Sequence, residues 1–182
     1  MKRRSHGSRP KKSFSIIALG GWILLCEAVG LVAGMFTIPQ IPVWYATLMK
    51  PSFSPPNWVF GPVWTILYAL MGIAAYRIWI LGIKNPAVRT NIVLFTAQLV
   101  FNFLWSFIFF SLHSIPAAFV DISILWILIV FLVVRMEQLD KTAGYLMTPY
   151  LLWVSFAMVL NYSLWLLNPR SEERRVGKEC RL

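Results

Sequence analysis

Residues 44–65 read WYATLMKPSFSPPNWVFGPVWT, and this stretch decides the fold. It combines three tryptophans and a tyrosine with four prolines and a single charge, that of Lys50. A segment so rich in proline cannot form one continuous helix, because each ring removes a hydrogen-bond donor and clashes with the preceding turn. The segment nevertheless joins two long apolar stretches. We therefore expect it to lie at a membrane surface, where tryptophan and tyrosine are favoured.

The composition of the whole chain excludes an ordinary soluble domain. Of 182 residues, 58% are hydrophobic and only 13% are charged, whereas about 25% of the residues in a typical soluble domain are charged. The net charge of +10 raises the question of nucleic acid. Six of the 17 basic residues, however, lie within the first twelve positions, directly before an apolar run. The positive-inside rule explains that placement as a cytoplasmic anchor, so nucleic acid is not an expected partner.

Five apolar segments have about the 20 residues that a helix needs to cross roughly 30 Å of hydrocarbon. They lie at about 14–36, 58–81, 91–112, 115–136 and 145–167. The first run is too long for the h-region of a signal peptide, about 7–15 residues, so we expect it to be retained. The sequence predicts an all-α integral membrane protein, a bundle of five transmembrane helices with a long first loop rich in proline and tryptophan. This domain covers 14–169 and follows a basic tail at 1–13.

The joints between the segments carry residues that interrupt helices. We expect loops around Pro86, around His113 and from Glu137 to Gly144. The first loop is the only long one, and within it Trp44 to Lys50 is predicted to form a short interfacial helix.

The last residues differ abruptly from the rest. After Pro169 the sequence reads RSEERRVGKEC, which resembles the conceptual translation of a sequencing-library adapter. A natural charged tail is the alternative. We interpret the tail at 170–182 as non-native and exclude residues 171–182 from functional reasoning.

Basic residues are distributed unequally between the two sides of the predicted bundle. Eleven lie on the side of the N-terminus, and the opposite side holds Lys50 and Arg170. This asymmetry predicts a cytoplasmic N-terminus and an external first loop. Short loops without an organelle-targeting signal favour a bacterial cell membrane.

Three of the segments carry a stripe of tryptophan with polar or small residues. In the third segment, Gln98, Asn102, Trp105 and Phe109 follow helical spacing and share one face. The other stripes comprise Trp64, Tyr68, Met71 and Ala75 in the second segment, and Tyr150, Trp153, Ala157, Leu160, Asn161, Leu164 and Asn168 in the fifth. One interpretation is that the amides simply hold helices together. The other is that the three stripes line a shared cavity that a flat ligand fills.

The stretch that decides the fold also follows the pattern WYxxLxKPxFxPPxWxFxPVWTxLY. This pattern resembles the signature of the TspO/MBR family of tryptophan-rich sensory proteins and translocators. Further matches to that family lie in the third, fourth and fifth segments, at Gln98-Leu99, Asn102, Trp105-Ser106, Asp121, Pro149-Tyr150-Leu151, Trp153, Phe156-Ala157 and Leu160-Asn161. The resemblance covers about residues 40–168.

The resemblance implies a five-helix bundle, commonly a homodimer, that binds porphyrins, haem and hydrophobic drug-like ligands between helices beneath the first loop. We therefore expect a membrane receptor or sensor for tetrapyrroles, with porphyrin or haem as ligand and no obligatory cofactor. The ligand-binding positions implied in this chain are Trp44, Lys50, Trp64, Asn102, Trp105, Trp153, Ala157 and Leu160.

The resemblance also implies light-dependent breakdown of bound porphyrin, with Trp64 and Trp153 as the residues involved. The alternative is that both indoles only shape the pocket. The sequence contains no P-loop, nucleophile elbow or H-E-x-x-H motif. Its two histidines, His6 and His113, lie in the tail and in a loop. We therefore expect no metal site and no axial histidine for haem in the bundle.

Two other functions compete with the receptor. One is a transporter of hydrophobic metabolites, although transporters often contain repeated halves and no internal repeat is visible. Sterols are disfavoured as its cargo, because no base follows Leu160 and Tyr162 before Arg170. The other is a scaffold whose indoles only pack.

Glu27 and Asp121 are acids within predicted spans, where charge is costly and usually faces the bundle. Glu27 has three open roles: pairing with a base, contact with a polar ligand, or remaining protonated. We favour pairing. Gly30 and Gly34 form a G-x-x-x-G pattern that predicts close helix contact.

Overall fold

The computed structural model describes residues 14–169, so the predictions for the basic tail and for the adapter-like end lie outside the described residues. Within 14–169 the chain forms helices and no strand. The five long helices are α1 (Ile16–Thr37), α2 (Phe60–Trp79), α3 (Pro86–Ser106), α4 (Ile115–Leu139) and α5 (Lys141–Leu167). Each is long and apolar enough to cross a membrane, which confirms the predicted fold class.

The five helices close into a ring in the order α1, α2, α5, α4, α3, with α3 returning to α1. We call the end of the bundle near the first loop the loop half; it contains the end of α1, the start of α2 and the end of α5. The opposite end, the packed half, contains the start of α1, the end of α2 and the start of α5.

Glycine lets α1 and α2 approach closely in the packed half. A Cβ on Gly72 would lie 2.6 Å from the Cα of Ile23 and 2.9 Å from the carbonyl oxygen of Trp22. Only a residue without a side chain fits at such a backbone contact. The α2 residues that follow, Ala74, Ala75 and Ile78, are fully buried.

Three helix ends differ from the predicted ones: the start of α3, the end of α4 and the start of α5. At the two starts a capping side chain lets the helix extend through residues that were expected to interrupt it. Helix α3 begins at Pro86 instead of about residue 91, since Asn85 caps it by accepting from the Ala87 N–H at 3.0 Å. Proline at a first helical position lacks only a donor that would be unpaired there. The predicted loop from Glu137 to Gly144 shrinks to Asp140 alone, which ends α4 and caps α5.

The first loop contains short 3₁₀ turns at Ile38–Gln40, Tyr45–Thr47 and Asn57–Val59. The predicted interfacial helix from Trp44 to Lys50 is thus a single turn. The Thr47 hydroxyl donates to the Trp44 carbonyl at 2.7 Å and closes that turn locally.

Candidate functional site

The loop half of the bundle encloses a cavity of about 1070 Å³. Its walls come from the last turns of α1, the first half of α2, the end of α3 and the second half of α5, and residues of the first loop cover it. Most wall atoms are apolar, with a few polar groups among them. Such a cavity exceeds the range of roughly 300–1,000 Å³ common for small-molecule sites.

Five of the eight predicted ligand-binding residues lie in the cavity wall. They are Trp64 from α2, Trp105 from α3, and Trp153, Ala157 and Leu160 from α5. Because these side chains come from three different helices, the three stripes converge on one space. Both tryptophans assigned to porphyrin breakdown are among them.

Trp44 and Lys50 lie behind the wall, each in contact with a residue that lines the cavity. The Trp44 ring packs edge-on against Phe109 with centroids 5.3 Å apart. The Lys50 Nζ lies 4.6 Å from the centroid of the Tyr45 ring. Burial raises the pKa of the Tyr45 hydroxyl despite a hydrogen bond with Ser54, so this ring remains neutral beneath the lysine.

Asn102 also lies behind the wall, in a chain of hydrogen bonds that runs in one direction. The Tyr68 hydroxyl donates to the Asn102 Oδ1. The Asn102 Nδ2 then donates to the Tyr150 hydroxyl at 3.2 Å, and Tyr150 donates to the Gln98 Oε1 at 2.9 Å. The chain joins α2, α3 and α5, so the amides do hold helices together. The indoles on the same stripes line one shared cavity, as the second interpretation predicts, and its filling by a flat ligand stays a prediction.

The indole N–H groups of the cavity wall differ in their partners. Trp105 donates to the Asn161 Oδ1 at 3.1 Å, and Asn161 donates in turn to the Ile115 carbonyl at 3.0 Å. The buried Nε1 of Trp153 has no partner within residues 14–169. A buried unpaired donor of this kind is costly.

The end of α3 widens into a π turn at Phe107–Ser111, closed by the Leu112 N–H donating to the Phe107 carbonyl at 3.1 Å. Phe109 and Phe110 of this turn both line the cavity. Short π segments are frequent at functional sites, where they change which side chains a helix presents.

Comparison with known proteins agrees with the sequence and the geometry. The sequence profile of the TspO/MBR family matches residues 22–166. The chain belongs to the TspO/MBR family. It is 44% identical over 154 residues to the Tryptophan-rich protein TspO of Chlorobaculum tepidum, covering 85% of this chain and 98% of that protein.

Two more distant members of the TspO/MBR family match 160 and 132 residues of the chain. The chain is 33% identical over 160 residues to the bovine Translocator protein, covering 87% of this chain and 92% of that protein. It is 37% identical over 132 residues to the Tryptophan-rich sensory protein of Cereibacter sphaeroides, covering 72% of this chain and 81% of that protein. The resemblance identified from the first-loop pattern is thereby confirmed.

Asn168, just after α5, holds the first loop of this TspO/MBR protein over the cavity. Its Oδ1 accepts from the Met49 N–H at 2.9 Å, and its Nδ2 donates to the Met49 carbonyl at 3.0 Å. The two residues are 119 positions apart, and no local pattern indicated the contact. We call this pair of hydrogen bonds the loop latch.

Glu27 lines the cavity, and within residues 14–169 its carboxyl forms no hydrogen bond or ion pair. The favoured pairing with a base is therefore wrong for the described chain. The one ion pair there joins the Arg77 Nη2 to the Asp140 Oδ2 at 2.8 Å, at the start of α5. Asp121, by contrast, is buried in α4, and its Oδ2 has no partner within the same residues.

Proposed function

We propose that this protein is a membrane receptor or sensor that binds porphyrins and similar flat hydrophobic ligands in the cavity of the loop half. The observation that carries the proposal is the convergence of Trp64, Trp105 and Trp153 from three helices on one space of about 1070 Å³. Indoles expose large apolar faces on which a flat conjugated ring can stack. Two relatives are named tryptophan-rich proteins, which agrees with the importance of the indoles in this proposal.

Aromatic stacking would hold such a ligand, since no histidine of residues 14–169 lies in the cavity wall. His113 lies in a loop, where its ring stacks on Trp44 with centroids 4.4 Å apart. Trp44 itself lies behind the wall. Polar side chains in the cavity wall include Glu27, Asn57 and Ser106, as well as Tyr68, whose hydroxyl donates to Asn102.

A titration of the purified protein with protoporphyrin IX tests the proposal. We expect quenching of tryptophan fluorescence that saturates at micromolar porphyrin, because three indoles would lie against the bound ring. N-acetyltryptophanamide in the same detergent is the control for quenching in the micelle. Quenching no stronger than that of the control would contradict receptor function.

Transport across the membrane is the second candidate, and the name Translocator protein of a relative supports it. The shape of the cavity favours binding instead. Its wall extends along α2 only to Tyr68, and beyond that point Met71, Ala75 and Ile78 are fully buried in a packed core. We expect liposomes containing the protein to release entrapped porphyrin no faster than empty liposomes; faster release would favour transport.

The proposal includes an orientation, with the first loop outside a bacterial cell and the N-terminus in the cytoplasm. It rests on the excess of basic residues on the N-terminal side. A Lys50→Cys variant should react with a membrane-impermeant maleimide on intact cells. Lys50→Cys is made in a Cys180→Ser background and that background alone is the control, because Cys26 is buried whereas Cys180 is a second thiol of the sequence. Labelling only after lysis would reverse the orientation.

A further inference from the structure

Glu27 marks the deep end of the cavity on α1. It lies ten residues before Thr37, where α1 ends, which corresponds to about 15 Å at a rise of 1.5 Å per residue. Its carboxyl lines the cavity without a partner within residues 14–169. An acid in this position is costly unless something polar meets it.

Tyr68 of α2 lines the same cavity as Glu27 of α1. Gly30, one helical turn after Glu27, packs beneath the Tyr68 ring so closely that a Cβ there would overlap it. Residues three apart on a helix share a face, so Glu27 projects toward the same ring. Both side chains belong to the cavity wall.

The hydrogen-bond chain behind the wall fixes the polarity of Tyr68. Its hydroxyl proton is given to Asn102, the Asn102 amide donates to Tyr150, and Tyr150 donates to Gln98. Each of these hydrogen bonds is donated in the direction from Tyr68 toward Gln98. The Tyr68 oxygen therefore offers lone pairs, and the Glu27 carboxyl also offers an acceptor whether or not it is protonated.

The opposite polarity lies nearer the loop. The Lys50 Nζ covers the Tyr45 ring of the cavity roof. The unpaired Trp153 N–H belongs to a ring that packs against Phe60, in the first turn of α2, with centroids 5.9 Å apart. The acceptors thus lie at the deep end of the cavity, whereas these two donors lie closer to the first loop, with Lys50 outside the cavity wall and the Trp153 N–H buried within it.

We infer that Glu27 and the Tyr68 oxygen form a binding subsite for an N–H or ammonium donor of the ligand. A ligand then enters with its nitrogen end toward Glu27 and any carboxylates toward Lys50. A ligand carboxylate at the deep end would meet only acceptors, and an ionised Glu27 would repel it strongly in a medium of low dielectric constant. The inference rests on the proposed function in using the same cavity, and it adds the chemical class and direction of the ligand.

Three flat probes that differ in one group test this subsite: 1-pyrenemethylamine, 1-methylpyrene and 1-pyrenecarboxylate. Binding is measured by energy transfer from tryptophan to pyrene in wild type, in Glu27→Gln and in Glu137→Gln. Glu137 is an exposed acid at the end of α4 and serves as the matched control. Comparing affinity ratios between variants cancels the different partitioning of the probes into detergent.

Wild type should bind the amine at least about tenfold more tightly than the carboxylate, since a hydrogen bond to a charged group contributes roughly 1.5–3 kcal/mol. In Glu27→Gln the ratio should fall below about threefold, and in Glu137→Gln it should stay at the wild-type value. An unchanged ratio in Glu27→Gln, or no preference in wild type, overturns the subsite.

Tyr68→Phe provides a second variant that keeps the ring over Gly30 and removes the oxygen. We expect the amine to bind several-fold more weakly while 1-methylpyrene binds as in wild type; equal loss for both probes would assign Tyr68 a packing role and overturn its part in the subsite. Protoporphyrin quenching is measured on the same samples. A Glu27-dependent preference without porphyrin binding refutes only the proposed ligand, whereas porphyrin binding without that preference refutes only the subsite.

Discussion

The two halves of the bundle use the same five helices in opposite ways. In the packed half, Gly72 brings α2 against the backbone of α1, and small residues such as Ala74 and Ala75 follow it into a core without exposure to solvent. In the loop half, the large side chains of Trp64 on α2 and Trp153 on α5 face the interior of the bundle. The helices there surround a cavity of about 1070 Å³.

The difference shows that the size of residues at a helix interface decides where a membrane bundle closes and where it opens. Helices in lipid gain little from the hydrophobic effect between themselves, so close packing of small residues supplies much of the association. Large indoles prevent that approach and leave a space for a ligand. We expect changes in the packed half to affect stability and changes in the loop half to affect binding.

The largest expected effect is from Gly72→Ala in the packed half. The new Cβ would lie 2.6 Å from the Cα of Ile23, and backbone cannot move aside as a flexible side chain can. We expect a loss of about 2–3 kcal/mol, the upper part of the range for overpacked cores. Thermal unfolding in detergent, followed by circular dichroism, measures it.

Gly20→Ala in α1 is the matched control, since a Cβ there meets nothing within 4 Å. Replacing glycine with alanine in an open helical position stabilises by up to about 1 kcal/mol. Equal midpoints for the two variants would refute the close contact between α1 and α2.

The next effect concerns Asp140, which joins three helices in the packed half. Its carboxylate accepts from the Arg77 Nε and Nη2, and caps α5 through the Ala143 N–H at 3.0 Å. Burial alone would raise the Asp140 pKa, but the hydrogen bonds from Arg77 and Ala143 outweigh it and lower the pKa. We expect Asp140→Ala to cost about 1–2 kcal/mol at pH 7, mainly from the lost cap, because the exposed ion pair adds little.

The lowered pKa gives this contribution a definite pH dependence. It is fully present above the pKa of an unfolded aspartate, about 3.9, and is lost as the pH falls through the lower value of the folded protein. The difference in unfolding midpoint between wild type and Asp140→Ala should therefore shrink as the pH is lowered from 5 to 2. A difference that grows on acidification would contradict the assignment.

A smaller effect is expected at the loop latch. Asn168→Ala removes both hydrogen bonds to Met49, each of which contributes about 0.5–1.5 kcal/mol. We expect protoporphyrin to dissociate roughly three- to tenfold faster in stopped-flow measurements, with the unfolding midpoint nearly unchanged.

Replacing Pro51, Pro55 and Pro56 with glycine should also weaken binding, because a freer loop loses more entropy on ordering. Unchanged dissociation in both variants would remove the role of the first loop as a lid.

The smallest effect is on the photochemistry of the bound ligand. Trp64→Phe and Trp153→Phe keep an aromatic face in the cavity wall but raise the oxidation potential of the ring. If these indoles take part in porphyrin breakdown, illuminated variants should bind protoporphyrin normally and bleach it several-fold more slowly than wild type. Normal binding with bleaching at the wild-type rate would leave both residues as parts of the wall only.

The sequence predicted the loop half better than the details of the packed half. Trp105 and Ala157 could be placed at the cavity because helical spacing and the family pattern are local signals. The Arg77–Asp140 pair and the loop latch depend on residues 63 and 119 positions apart, which only the fold brings together. The π turn at Phe107–Ser111 likewise has no pattern of its own.

The errors also have physical reasons. Pro86 was expected to interrupt a helix, yet at a first helical position its missing donor costs nothing. Glu27 was expected to pair with a base because an isolated acid in a span is costly. The structure instead places it in a cavity wall, where a ligand can supply the partner, and sequence spacing cannot distinguish those two surroundings.

The central claim is that the cavity of the loop half binds the porphyrin, and filling that cavity tests it most directly. Ala157→Phe places a ring inside the cavity wall, whereas Ala117→Phe adds the same ring at an exposed position of α4. With protoporphyrin IX and tryptophan quenching as the readout, Ala157→Phe should weaken binding at least about tenfold, which is roughly 1.4 kcal/mol. Ala117→Phe should bind as wild type. Equal affinities for both variants, with α-helical content retained, would contradict the claim.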